Sequence, residues 1–210
     1  MKKTAIRLGM LTPSSNTILE PVTSDILSGL DEVSAHFGRF RVTEISLKRG
    51  AIKQFDNEPL MQAARLLADA KVDVIAWNGT SAGWLGFGSD RLLCEAITAE
   101  LGIPATTSTL ALEDAFRSVK ATNFGLVSPY LEEVQDKIMQ SFNEEGFNCI
   151  AERHLNDPGN FSFAEVTEEK ISEMVYQVAE TNPDAITIYC TNLRGAPLVE
   201  KLEKKLDVPI

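Results

Sequence analysis

Short apolar runs rich in β-branched residues alternate along this chain with longer stretches whose apolar positions recur every three or four residues. That alternation predicts strands and crossover helices, the plan of a parallel-sheet α/β protein. Ala5 to Leu11 reads as a first strand, closed by the turn Thr12-Pro13-Ser14-Ser15-Asn16. Ile18, Val22 and Ile26 then share one helical face, and Pro21 is tolerable near that helix's first turn. Val42 to Leu47 reads as a second strand, Leu60, Ala64 and Leu67 as a helix, and Val74 to Trp77 as a third strand. Leu92, Leu93, Ala96 and Ile97 mark another helix before Gly102-Ile103-Pro104-Ala105, and Leu110 to Val119 a further one.

The same order then returns. Phe124 to Ser128, Cys149 to Arg153 and Ala185 to Tyr189 read as strands, interleaved with helical stripes at Val134/Ile138/Phe142, Ile171/Val175/Val178 and Leu198/Leu202/Leu206. Val72-Asp73-Val74-Ile75-Ala76-Trp77-Asn78-Gly79-Thr80-Ser81 aligns with Pro183-Asp184-Ala185-Ile186-Thr187-Ile188-Tyr189-Cys190-Thr191-Asn192 at an offset of 111 residues. Leu8-Gly9-Met10-Leu11-Thr12-Pro13 aligns with Phe124-Gly125-Leu126-Val127-Ser128-Pro129 at an offset of 116. The fold class expected is therefore α/β: two similar flavodoxin-like or Rossmann-like units, residues 1–119 and 120–210, with parallel sheets related by a pseudo-twofold axis. The closing Asp207-Val208-Pro209-Ile210 matches Gly102 to Ala105, so the repeat predicts one more strand end and helix after it. In open α/β sheets ligands sit beyond the carboxyl ends of the strands. The turns at 12–16, 79–83, 128–130 and 190–195 all fall there, which places one site in the cleft between the units.

Charge and composition narrow the partners. A net charge of −10 with no stripe of Lys or Arg disfavours nucleic acid. It leaves small anions open, because a few backbone N–H groups outweigh a distant, screened acidic surface. Arg7 interrupts any apolar core after Met1-Lys2-Lys3-Thr4-Ala5-Ile6, and no run reaches membrane-spanning length, so neither a signal peptide nor a membrane partner is expected. Cys94, Cys149 and Cys190 are scattered without CxxC spacing, the pattern of reduced cytoplasmic thiols. His36 and His154 lie far apart, and no metal site is expected.

The repeat sets one thiol, Cys190, against Gly79, a position without a side chain. Two facing thiols permit proton removal on one face of a carbon and delivery on the other; one permits only one-sided delivery. Decarboxylation of a malonate-type acid needs just that, together with preorganised donors for the enediolate. The candidate donors are the backbone and hydroxyls of Thr80 and Ser81, the Tyr130 hydroxyl and the N–H groups of Thr191 and Asn192. Glycine at 79 lets substrate approach the backbone, and a proton-donating Cys190 should rest neutral. Bland roles compete: Cys190 as a packed thiol, Asn16 as a helix cap, and Asn160 as a turn residue after Asp157-Pro158-Gly159. Gly83, Gly86 and Gly88 around Trp84 and Phe87 read as an aromatic-bearing loop, a candidate lid.

Gly9-Met10-Leu11-Thr12-Pro13-Ser14-Ser15-Asn16-Thr17 resembles the opening of the maleate cis-trans isomerases, within the aspartate/glutamate racemase superfamily. Asn160-Phe161-Ser162-Phe163-Ala164-Glu165-Val166-Thr167 is similar to a segment whose asparagine binds a substrate carboxylate there, and Cys190-Thr191-Asn192 to the second catalytic cysteine turn. Gly79-Thr80-Ser81 and Tyr130 instead resemble the arylmalonate decarboxylases, which keep only the second cysteine. The resemblance implies two α/β halves, an interdomain site, no cofactor, a small carboxylate or dicarboxylate substrate and a homo-oligomer. Three readings follow. The first is a cofactor-independent decarboxylase of a substituted malonate with Cys190 as acid. The others are an isomerase or racemase of a small dicarboxylate, and a non-catalytic dicarboxylate-binding relative.

Overall fold

The computed structural model describes residues 5–48 and 57–210. The first unit runs β1 (Ile6–Pro13), α1 (Leu19–Ile26), β2 (Val33–Phe40), α2 (Asn57–Asp69), β3 (Val74–Trp77), α3 (Ala82–Leu85), α4 (Phe87–Leu101), β4 (Ala105–Thr107) and α5 (Ser108–Ser118). The second runs β5 (Asn123–Ser128), α6 (Glu132–Glu144), β6 (Asn148–His154), α7 (Glu168–Ala179), β7 (Ala185–Ile188) and α8 (Val199–Leu206), with 3-10 turns at Ser162–Glu165 and Ala196–Leu198. The sheets are ordered β2-β1-β3-β4 and β6-β5-β7. Every pairing within them is parallel.

The duplication extends to individual hydrogen bonds. The Asp73 carboxylate accepts the Arg7 N–H at 2.7 Å, and the Asp184 carboxylate accepts those of Thr122 and Asn123 at 2.9 and 2.8 Å. Each aspartate thus ties the start of one strand to its neighbour, which explains the repeated residue without any catalytic role. The two N–H groups also hold the Asp184 carboxyl below its ordinary range. Ile75 N–H reaches the Pro104 carbonyl at 2.9 Å, and Ile186 N–H reaches that of Pro209 at 2.8 Å. Gly9 and Gly125 match as well: a Cβ would lie 2.9 Å from Val72 Cγ2 at the first and 3.1 Å from Val178 Cγ2 at the second. Both keep the leading strand close to what packs on it.

The units share one core. Phe116 of α5 stacks on Phe124 (5.2 Å between centroids) and Phe147 (5.3 Å), so a helix of the first unit covers the second unit's sheet. Aromatic contacts of this kind add about 0.5–1.5 kcal/mol each beyond burial.

Two elements differ from the pattern reading. The second strand is Val33–Phe40, not Val42 to Leu47. As an edge strand it is only partly buried, so it carries no continuous apolar run. Val42, Ile45 and Ser46 are buried for another reason: their segment crosses to the second unit, where Ile45 N–H meets the Pro158 carbonyl and Glu44 bridges Gly159. The apolar run signalled burial, not strand. Residues 82–88 are likewise no lid. They form α3 and the start of α4, with Trp84 and Phe87 buried and the Phe87 ring edge-on to Phe142 at 5.0 Å. Gly83 permits this packing, because a Cβ there would meet Tyr189 Cε1 at 2.7 Å.

Candidate active site

Four strand ends converge between the units. β1 delivers Pro13, β3 delivers Gly79 and Thr80, β5 delivers Tyr130, and β7 delivers Cys190 and Thr191. With Asn160, Val42, Ile45, Trp77 and Trp84 they enclose a cavity of about 20 Å³. A separate, largely apolar recess of about 290 Å³ lies along α1, α5 and β7, sharing only Thr80, Cys190 and Thr191 with the first. The polar groups converge in the smaller space, and the chemistry is read there.

Cys190 follows the edge strand in a tight turn closed by its own N–H to the Ile188 carbonyl and by Leu193 N–H to its carbonyl, at 3.0 and 3.1 Å. Burial pushes its thiol up to about 11, against hydrogen bonds from the Tyr130 hydroxyl and the N–H groups of Asn192 and Leu193. Burial dominates. The sulfur rests as a neutral S–H at neutral pH. Tyr130 is buried, hydrogen-bonds the Thr80 hydroxyl at 2.5 Å and stacks edge-on to Trp84 and Phe163 at 5.4 and 5.6 Å. Its phenol is pushed well above its usual value by burial and by the neighbouring Cys190. Cys190, Tyr130 and Thr80 thus form one buried donor–acceptor chain.

Three of the expected substrate ligands stand behind the cavity. Asn192 Oδ1 accepts the N–H groups of Thr17 and Ile18 at 3.0 and 3.3 Å, and its Nδ2 donates to the Asn160 carbonyl at 2.6 Å. Asn16 Oδ1 accepts from Ile18 and Leu19 N–H at 3.0 and 2.9 Å, the capping role, while its Nδ2 donates to Thr191 Oγ1 at 3.2 Å. Ser81 Oγ accepts the Trp77 indole N–H at 3.3 Å. The Asn192 N–H points at sulfur, so the expected oxyanion donor is already engaged. Thr191 Oγ1 donates to the Asn78 carbonyl at 3.0 Å and Asn160 Nδ2 to Ser15 Oγ at 2.8 Å, completing a polar seam across the cleft. Cys94 and Cys149 are half-buried elsewhere.

Position 79 is not empty. A Cβ on Gly79 would lie 2.0 Å from Trp77 Cζ2 and 2.4 Å from Cη2, so the indole occupies the space a side chain would need. Trp77 is 1% exposed and packs on Phe40 at 5.0 Å, leaving the ring nowhere obvious to retreat. No phrase in the sequence announces this. The only signal was a tryptophan closing the strand two residues before a glycine.

Among the described residues, no three His, Cys, Asp or Glu side chains gather as a metal-holding group, and no helix is long and apolar enough to cross a membrane. The site is a small, single-thiol cleft between duplicated α/β units, the architecture of a family of carboxy-lyases and isomerases. Residues 18–210 match the arylmalonate decarboxylase family, and the chain belongs to that family. A maleate isomerase of Geobacillus stearothermophilus is 25% identical over 219 residues, covering 97% of this chain and 85% of the relative. An arylmalonate decarboxylase of Bordetella bronchiseptica is 24% identical over 156 residues, covering 73% and 65%. Among solved structures, a cysteine-to-serine variant of Nocardia farcinica maleate cis-trans isomerase with a covalently bound succinylcysteine intermediate superposes with a TM-score of 0.89. It is 24% identical, covering 97% of this chain and 86% of that one.

Proposed function

We propose that this protein is a cofactor-independent decarboxylase of a small substituted malonate. One observation carries the reading: the cavity holds a single neutral thiol, Cys190, and the place opposite, at Gly79, is closed by an indole. A succinylcysteine-type route requires a nucleophilic thiolate. Glycine has no atom to attack with, and Cys190 is held protonated.

The proposed step is balanced within the site. The bond from the α-carbon to one carboxyl breaks, carbon dioxide leaves, and the electron pair remains as an enediolate. In this reading Tyr130 stays on sulfur and the Thr80 hydroxyl turns its proton from Tyr130 to the developing charge, a contribution of roughly 3–4 kcal/mol for such a donor in comparable sites. The Cys190 S–H proton moves to the α-carbon, and the resulting thiolate, eased by Tyr130 and two N–H groups, regains a proton from water. Asn160, at the cavity wall with one amide proton left beyond its bond to Ser15, suits the retained carboxylate.

In heavy water the reaction should release stoichiometric carbon dioxide and leave one deuteron on the product carbon. Cys190→Ala should lose roughly 10²–10⁴-fold in kcat. Conversion of maleate to fumarate without gas release would replace this reading with the isomerase one, which the Geobacillus relative favours. A dicarboxylate that raises Tm equally in wild type and Cys190→Ala, yet stays chemically unchanged, would favour a binding protein.

A further inference from the structure

We infer that Trp77 is the residue that sets both the single-thiol character of this site and the small size of its substrate; the size half of this rests on the decarboxylase reading. The indole stands 2.0 Å from where any Cβ at position 79 would be. It is anchored at both ends, by the hydrogen bond to Ser81 Oγ and by the Phe40 ring. Gly79 does not adopt a positive φ, so backbone conformation is not what demands glycine there. Space demands it. Residues 77 and 79 are therefore a coupled pair: a large flat ring at one forbids a side chain at the other.

The same ring is a rigid wall of the reaction cavity. At about 20 Å³ that cavity is smaller than a malonate, so a substrate reaching Cys190 extends into the adjoining apolar recess of about 290 Å³ and leaves only a small group facing Gly79. Its other bulky walls, Trp84 and Tyr130, are pinned against each other, and Tyr130 is backed by Phe163. A substituent on the α-carbon pointing toward Gly79 meets indole. On the Gly79 side the ring leaves room for a hydrogen or a small alkyl group and no more. A malonate carrying an aryl ring on that side is excluded, although the chain belongs to a family described by arylmalonate decarboxylation.

Two measurements test this, and they fail separately. The first uses thermal melting of the full chain as wild type, Gly79→Ala, Trp77→Leu and the double variant. Gly79→Ala should lower Tm by roughly 5 °C in the wild-type background and by under about 1 °C with Trp77→Leu. An equal drop in both backgrounds overturns the pairing, whatever the enzyme does. The second compares phenylmalonate with methylmalonate. Trp77→Leu should raise the ratio of their kcat/KM values at least about tenfold, a selective change that a general loss of stability does not produce. An unchanged ratio overturns the specificity role. If no variant turns over either acid, the decarboxylase reading falls. Substrate size is then read from ligand-induced Tm shifts in Cys190→Ala, where phenylmalonate must stabilise only the variant also carrying Trp77→Leu.

Discussion

Asp90 offers a quantitative check on how this interior is built. It lies in the first turn of α4, 2% exposed, with Oδ2 lacking any hydrogen-bond partner. Burial raises its carboxyl from 3.8 to about 6, opposed only by a hydrogen bond from Thr107. A group whose folded pKa lies above its unfolded value costs nothing below the unfolded pKa, where both states are protonated. As pH rises from about 4 to about 6 the unfolded chain releases its proton first, and stability falls. Above the folded pKa the loss is complete, at about 3 kcal/mol. Asp90→Asn keeps an oxygen for Thr107 and never ionises, but leaves amide protons unpaired at about 1 kcal/mol. The variant should therefore be more stable by about 2 kcal/mol at pH 8, raising Tm by roughly 4–8 °C. That advantage should vanish at about pH 4.5 and give way at lower pH to a deficit approaching about 1 kcal/mol. Urea unfolding of both proteins across this range, analysed as the difference between them, cancels the other carboxylates. A difference that does not change with pH would refute the assignment of a buried, unpaired charge.

Other outcomes follow from the same geometry. Tyr130→Phe removes a donor to sulfur and the partner of Thr80, so kcat should fall roughly 10²-fold; the pH profile of Cys190 alkylation by iodoacetamide should shift upward. As a proton donor with its thiol near 11, Cys190 should give a rate that is level from about pH 7 to about 10 and falls as pH passes about 11. A rate climbing with pH would indicate a working thiolate instead. Asn192→Ala breaks the bonds to Thr17 and Ile18 that join the units and the one to Asn160 within the second, and calorimetry should show a loss of about 3 kcal/mol.

Much of the architecture is legible because duplication writes it twice. The aspartates at 73 and 184 and the glycines at 9 and 125 recur because each pair performs the same local task, and a local task leaves a local mark. The edge strand was missed because its residues face solvent as much as core. The segment 42–47 was misread because burial against a distant loop produces the same apolar run as a buried strand. The amides of Asn16 and Asn192 are already engaged: Asn16 holds the Ile18 and Leu19 N–H groups and the Thr191 hydroxyl, and Asn192 holds the Thr17 and Ile18 N–H groups and the Asn160 carbonyl; sequence spacing does not show which partner a buried amide will find.

From the chain alone come the paired α/β plan, the cleft at the strand ends and the lone thiol facing a glycine, since all three rest on periodicity and repeats. The tertiary structure alone decided that this glycine is walled by Trp77, that burial raises the Cys190 thiol, and that Tyr130 and Thr80 join it in one chain. Those facts depend on which side chains occupy the same few cubic ångströms after folding, and on how much water they exclude. Neither quantity is a property of sequence neighbours.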